Sequence, residues 1–199
     1  DLIGIDLMAD VLKSFIKELP ETDKFHEVAQ EIPLIKKLIE TGYTGRKGKG
    51  GFYRINKDGG KKILEALNLE TEDYSTSKKI DIKSEKVDLK KLINRDDKHG
   101  EYAWSVISKI IKYASSLVTE ITDEFNDIDE AMRLGFNWSK GPFEMLEEIG
   151  VENFFNKIDS YGGNKFLENL AKSKNENFYG ERQKYTKIET LGKVKRKAQ

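Results

Sequence analysis

Between Leu7 and Leu19 the apolar residues Leu7, Met8, Val11, Leu12, Phe15, Ile16 and Leu19 recur every three or four positions, with Asp10, Lys13, Lys17 and Glu18 between them. At 3.6 residues per turn that spacing collects the apolar side chains on one face, so it predicts an amphipathic helix. Pro20 ends it, because a proline disfavours helical geometry in the residue before it and donates no backbone hydrogen bond. Leu34, Ile35, Leu38 and Ile39 predict a second helix over 33–40, with Pro33 in its first turn and Gly42 at its C-terminal cap. The stretch GYTGRKGKGGFYRI (42–55) reads as a glycine-rich turn running into a short extended piece.

The longest stripe, Trp104, Ile107, Ile110, Ile111, Ala114, Leu117, Val118 and Ile121, predicts a helix over 102–121. In the following NDIDEAMRLGF, Asp127 is expected to cap a helix with Glu130 three residues on, and Gly135 to close it. After FNWSK, Pro142 opens another helix with Phe143, Leu146 and Ile149 on one side, and Gly150 ends it. Two more short helices are expected over 151–161 and 164–171. Between the two helical regions, residues 55–98 are polar, lysine-rich and weakly periodic, and read as a linker or a connecting excursion with one short helix at Lys61–Leu67; a small packed helical insertion is the alternative. No segment shows strong two-residue alternation, so the chain reads as all-α. Residues 186–199 read as a polar tail.

Composition narrows the options. Thirty-five basic residues balance thirty-five acidic ones, so no long-range field draws the chain to nucleic acid or to an anionic membrane. There is no cysteine, which removes disulfides, thiolate nucleophiles and cysteine-based metal sites. No stretch approaches the roughly 18 apolar residues of a membrane span. An apolar share of 37% implies small cores that depend on burial against further residues. The opening DLIGIDLMADVL has neither an initiator Met nor a signal-peptide core, and reads as part of a longer polypeptide. His26 and His99 lie in no pattern that would orient a base or pair metal ligands, and are expected on the surface. The acid pairs at 123–124 and 147–148 read as solvated faces. Phe136 and Trp138 read as plugs of a small core, with an interface or pocket wall as the alternative.

An internal repeat runs through this pattern. IGIDLMADVLKSF (3–15) lies against IGVENFFNKIDSY (149–161), and LIETGYTGRKGKGGFY in the first copy finds a shorter counterpart, LAKSKNENFYG, in the second. One helical module therefore ends near Arg54 and a whole one runs over 99–185.

The segment DIDEAMRLGFNWSKGPFEMLEEIGVE closely resembles the C-terminal helical domain of the 3-hydroxyacyl-CoA dehydrogenases. The matching residues are Asp127, Ile128, Asp129, Ala131, Met132, Gly135, Gly141, Pro142, Phe143, Glu144 and Gly150. DLIGID resembles the stretch after Gly-Pro-Phe in that family, and GRKGKGGFYR resembles its closing turn, with Gly48 in place of a hydroxyl residue and Lys49 in place of a Gly. Two modules in tandem, 1–54 (incomplete) and 99–185, are similar to large bacterial enzymes in which the dehydrogenase is often fused to an enoyl-CoA hydratase.

The resemblance implies a helical bundle of the 6-phosphogluconate dehydrogenase C-terminal-domain type. It implies NAD-dependent oxidation of an L-3-hydroxyacyl-CoA to the 3-ketoacyl-CoA in fatty-acid β-oxidation, in the cytoplasm, by a homodimer. The His base, its orienting Glu and the NAD site belong in the family to an N-terminal Rossmann domain that this sequence does not contain, so no catalytic, cofactor or metal residue is expected here. Gly45, Gly48, Gly50 and Gly51 have the wrong spacing for a dinucleotide turn and precede Phe52-Tyr53. Arg46, Lys47 and Lys49 in that turn are the candidate contacts for the CoA phosphates. In the second module Trp104 and Ser105 stand near the place of a substrate-touching Asn, which implies a packing role only. A non-enzymatic assembly module on the same scaffold is the rival reading, and a 6-phosphogluconate-type dehydrogenase acting on another hydroxy acid is a third.

Overall fold

The structure, a computed structural model, describes residues 1–58, 60–78, 88–161, 163–173, 175, 178 and 179. They fall into two compact units, residues 1–83 and 84–199, which divide inside the segment expected to be a connector. The expected tail, 186–199, lies outside the described residues.

In unit 1, α1 (Ile5–Glu18) begins after Gly4 and stops as Leu19 turns extended ahead of Pro20. α2 (Pro33–Glu40) starts on its proline and ends as expected at Gly42, where the amides of Gly42 and Tyr43 return to the carbonyls of Ile39 and Leu38 at 3.0 and 2.7 Å. The two helices pack on each other, and Ile5 of α1 and Leu38 of α2 are buried.

Three antiparallel strands follow, β1 (Tyr53–Asp58), β2 (Lys61–Leu67) and β3 (Tyr74–Thr76), in the order β1-β2-β3. The expected helix at Lys61–Leu67 is thus a strand, and the all-α expectation fails for this unit. Gly59-Gly60 lies between Asp58 and Lys61, which face each other in register, and such a dipeptide favours a tight hairpin. The strands are held by long-range pairs that a local pattern does not carry. Arg54 faces Glu65 and bonds to it at 2.6 Å, Asn56 donates to the same carboxylate at 3.0 Å, and the Arg54 guanidinium lies 4.0 Å over the Tyr74 ring. Tyr74 stacks on Tyr43 and donates to the Gly51 carbonyl, tying the sheet to the glycine-rich turn.

Unit 2 is helical among the described residues: α3 (Leu89–Ile93), α4 (Lys98–Ser116), α5 (Phe125–Phe136), α6 (Pro142–Ile149), α7 (Val151–Lys157) and α8 (Lys165–Ser173). Asp97 caps α4, accepting from the amides of His99 and Gly100 at 3.0 Å each. Arg95 and these amides hold its carboxyl at about 2.

α4 ends at Ser116, short of the expected 121. Leu117 and Val118 leave the helix and pack against the cluster of Ala114, Ile128, Phe143 and Tyr179, while Thr119 takes a positive φ and Ile121 is left exposed. α7 ends at Lys157 because Ile158 turns extended. The main core gathers Ile93, Ile111, Leu146, Ile149, Val151, Phe154 and Leu167, with Trp104 edge-on to Phe154. A second cluster joins Ala114, Ile128, Phe143 and Tyr179 around the Phe125 ring.

The repeat has a backbone counterpart. Gly4 at φ 112, ψ 132 and Gly150 at φ 90, ψ 130 take the same conformation, which a side chain would strain, at the starts of α1 and α7. Ile5 and Val151 follow them and are both buried, as are Leu38 in α2 and Leu170 in α8.

Candidate functional site

Of the residues singled out in DIDEAMRLGFNWSKGPFEMLEEIG, Asp129, Gly141, Phe143 and Glu144 come together where α5 meets α6. α6 has a glycine, Gly141, at its cap position and so no side chain of its own to satisfy its first amides. Asp129, reaching over from α5, does this instead: one oxygen accepts from the Phe143 amide and the other from the Glu144 amide, both at 2.9 Å. The second oxygen also accepts the Tyr179 hydroxyl at 2.8 Å. A Cβ on Gly141 would come within 2.3 Å of the Asp129 carboxyl carbon, so the close crossing of the helices requires glycine there.

Around this carboxylate the charges are interlocked. Glu144 accepts from the Gly141 amide at 2.9 Å through one oxygen and from Arg133 at 2.8 Å through the other. Pro142, at the first position of α6, and Phe143 are fully buried.

Asp129 itself has no exposure to solvent. Burial pushes its carboxyl up to about 6, against the pull of the Phe143, Tyr179 and Glu144 donors and with a further push from the Glu144 charge. Burial and the neighbouring Asp129 raise the Tyr179 hydroxyl well above the usual phenol range. Both oxygens of Asp129 accept from protein donors, so the carboxylate acts as a joint between α5 and α6.

Three expectations about this segment are corrected. α5 begins at Phe125, which lets that ring enter the aromatic cluster, and Asp127 therefore lies inside the first turn, accepting from the Thr122 hydroxyl at 2.8 Å. Asn137, at φ 56, closes α5 in the left-handed conformation; Gly135 is helical, with open space where a Cβ would stand. Phe136 is 70% exposed and so does not plug the core, while Trp138 is half-buried. Met132 is half-buried on α5, and Gly150 sits at the far end of α6.

Sequence reasoning missed Tyr179 and Arg133. The signal for Tyr179 was the Phe-Tyr pair of NFYG, already aligned with Phe52-Tyr53; nothing local pointed to Arg133. Of the acid pairs, Glu147 and Glu148 are half-buried, and Glu148 pairs with Lys140. His99 is exposed; His26 is half-buried, with a ring nitrogen 3.0 Å from the Pro20 carbonyl.

In the glycine-rich turn of unit 1, the Lys47 ammonium pairs with Asp6 at 2.8 Å and holds that carboxyl below its ordinary range. Lys49 donates to the Thr41 carbonyl at 3.0 Å, at the end of α2. The Arg46 amide donates to the Asp1 carbonyl at 3.0 Å. Residues 45–51 lead into β1, not into a helix, so they present no helix N-terminus for a pyrophosphate and do not fit a dinucleotide. No described helix is long and apolar enough to cross a membrane.

Residues 100–198 match the family described as "3-hydroxyacyl-CoA dehydrogenase, C-terminal domain". The chain is 36% identical over 185 residues to a Rickettsia felis protein named "Putative fatty acid oxidation complex trifunctional enzyme", covering 87% of this chain and 25% of that one. It is 31% identical over 190 residues to a Bacillus subtilis protein named "Probable 3-hydroxyacyl-CoA dehydrogenase", covering 90% of this chain and 23% of that one. The chain thus spans about a quarter of the length of these relatives. No solved structure matches it. Through residues 100–198, which include the α5–α6 joint, the chain belongs to the 3-hydroxyacyl-CoA dehydrogenase C-terminal domain family.

Proposed function

We propose that this chain serves as the helical part of an NAD-dependent L-3-hydroxyacyl-CoA dehydrogenase of fatty-acid β-oxidation. In this reading 99–185 is a complete module of the 6-phosphogluconate dehydrogenase C-terminal-domain type and 1–54 a partial one. The observation that carries it is the Asp129–Gly141–Phe143 joint inside the segment matched by the family.

The joint is all packing and capping, which suits helices that close an acyl-CoA cleft and bury interdomain or dimer surface. Proton abstraction and hydride transfer to NAD then fall to a nucleotide-binding domain made of other residues, working in the cytoplasm as a homodimer. Arg46, Lys47 and Lys49 are proposed to meet the CoA phosphates; the ammonium groups of Lys47 and Lys49 sit on half-buried Asp6 and the Thr41 carbonyl, partners that an arriving phosphate can replace.

The purified chain is expected to oxidise no NADH with acetoacetyl-CoA, and to support turnover once combined with the nucleotide-binding domain of a relative. Turnover by the chain alone overturns the division of labour. Failure of every such combination, with both parts folded, favours the rival reading of an assembly module.

A further inference from the structure

The sheet of unit 1 has its polarity reversed. Residues that face each other across antiparallel strands lie on one side of the sheet, and the side alternates along each strand. One side of β1 and β2 carries Arg54, Asn56 and Glu65, and these polar residues are half-buried; Arg54 reaches the Tyr43 hydroxyl at 3.3 Å and covers the Tyr74 ring. The other side carries Tyr53, Ile55 and Leu64, which are 53%, 62% and 51% exposed. An antiparallel sheet with one face in water ordinarily turns its apolar residues in and its polar residues out. This one does the opposite, so its outward face has apolar surface to bury.

That face also has two charged ends. At the hairpin end Lys57 stands directly opposite Lys62, and like charges in that position repel each other. At the other end the chain leaves β2 for the loop 68–73. Leu69 of this loop is exposed and lines a pocket with Tyr53 and Ala66, so the loop starts on the same side of the sheet. Glu70 and Asp73, further along it, are exposed. The order along the face is thus two lysines, an apolar strip, then acids.

We propose that this face packs on the same face of a second copy of the chain, with the two sheets running in opposite directions about a two-fold axis. The axis falls between the Ile55–Leu64 and Tyr53–Ala66 pairs. Lys57 and Lys62 then lie three residues from it, roughly 10 Å, at the level where the other chain leaves β2 for its acidic loop. The apolar strips cover each other, and each lysine pair meets acids that relieve its repulsion, twice over by symmetry. An anionic lipid surface fits less well, because it attracts the lysine end and repels Glu70, Glu72 and Asp73 at the other.

The test uses the full chain in sedimentation velocity over roughly a hundredfold span of concentration, across which mass action is expected to convert monomer into dimer. Leu64→Glu places a charge in the apolar strip and is expected to weaken the association at least roughly tenfold. Two charge-reversed chains supply the orientation: Lys57→Glu with Lys62→Glu in one, Glu70→Lys with Asp73→Lys in the other. Each is expected to remain monomeric alone, since like charges meet at both contacts, and the two are expected to associate when mixed, since opposite charges meet again. The substituted positions are exposed, so the circular dichroism of every variant should match that of the parent chain.

A chain that stays monomeric throughout overturns the proposal, and so does a dimer that neither Leu64→Glu nor charge reversal weakens. Reversed chains that fail to associate on mixing overturn it as well. The proposal does not rest on the dehydrogenase reading, because mass is measured and no turnover enters.

Discussion

The ionisation of Asp129 sets burial against three donors, and burial wins: the carboxyl stands at about 6 instead of its ordinary 3.8. A raised carboxyl favours the folded state when protonated. Its contribution is therefore full below about pH 4 and lost as pH rises through 6, an amount on the order of 3 kcal/mol. Urea midpoints between pH 4 and 7 are expected to fall over that window, and to stay level in Asp129→Asn. The lowered carboxyls of Asp6, Glu65, Asp88 and Asp97 contribute in the opposite sense, losing stability only as pH drops below about 4. Tyr179→Phe removes one donor from the same carboxylate and should cost about 1 kcal/mol by urea unfolding. No change in that variant would mean that Tyr179 does not hold the joint.

At the scale of the element, α6 is capped by a neighbour's side chain, and the two glycines of the motif have opposite importance. Gly141→Ala brings a Cβ to 2.3 Å from Asp129 and must push α5 and α6 apart. A loss of roughly 3 kcal/mol is expected for it in thermal or urea unfolding. Gly135→Ala meets open space in a helical position and should stabilise by about 0.5–1 kcal/mol. Equal losses at both sites would contradict the capping geometry. The left-handed residue that sequence reasoning assigned to Gly135 is Asn137, because α5 runs on to Phe136 before the chain turns. The hairpin of unit 1 was missed for a related reason. β2 buries its residues only partly, so its alternation is faint, and the pairing of Arg54 with Glu65 joins residues that are eleven apart.

At the scale of the whole molecule, Phe143 links α5, α6 and α8 within unit 2: it is fully buried, touches the Phe125 and Phe166 rings at 5.3 Å between centroids, and donates its amide to Asp129. Phe143→Ala is expected to cost about 3–5 kcal/mol and to shift the circular-dichroism melt accordingly, and a loss under about 1 kcal/mol would remove it from that role. The sequence by itself determined the two helical regions, the proline starts of α2 and α6, the Gly42 and Gly150 ends, and the repeat, since spacing, ring geometry and backbone freedom act within a few residues. Only the tertiary structure decided that β2 is a strand, that α4 stops at Ser116, that Phe136 faces water, and that Asp129 serves a helix other than its own. Each of those depends on which distant surface is there to bury a side chain or accept a hydrogen bond, and that is a property of the folded chain, not of any window along it.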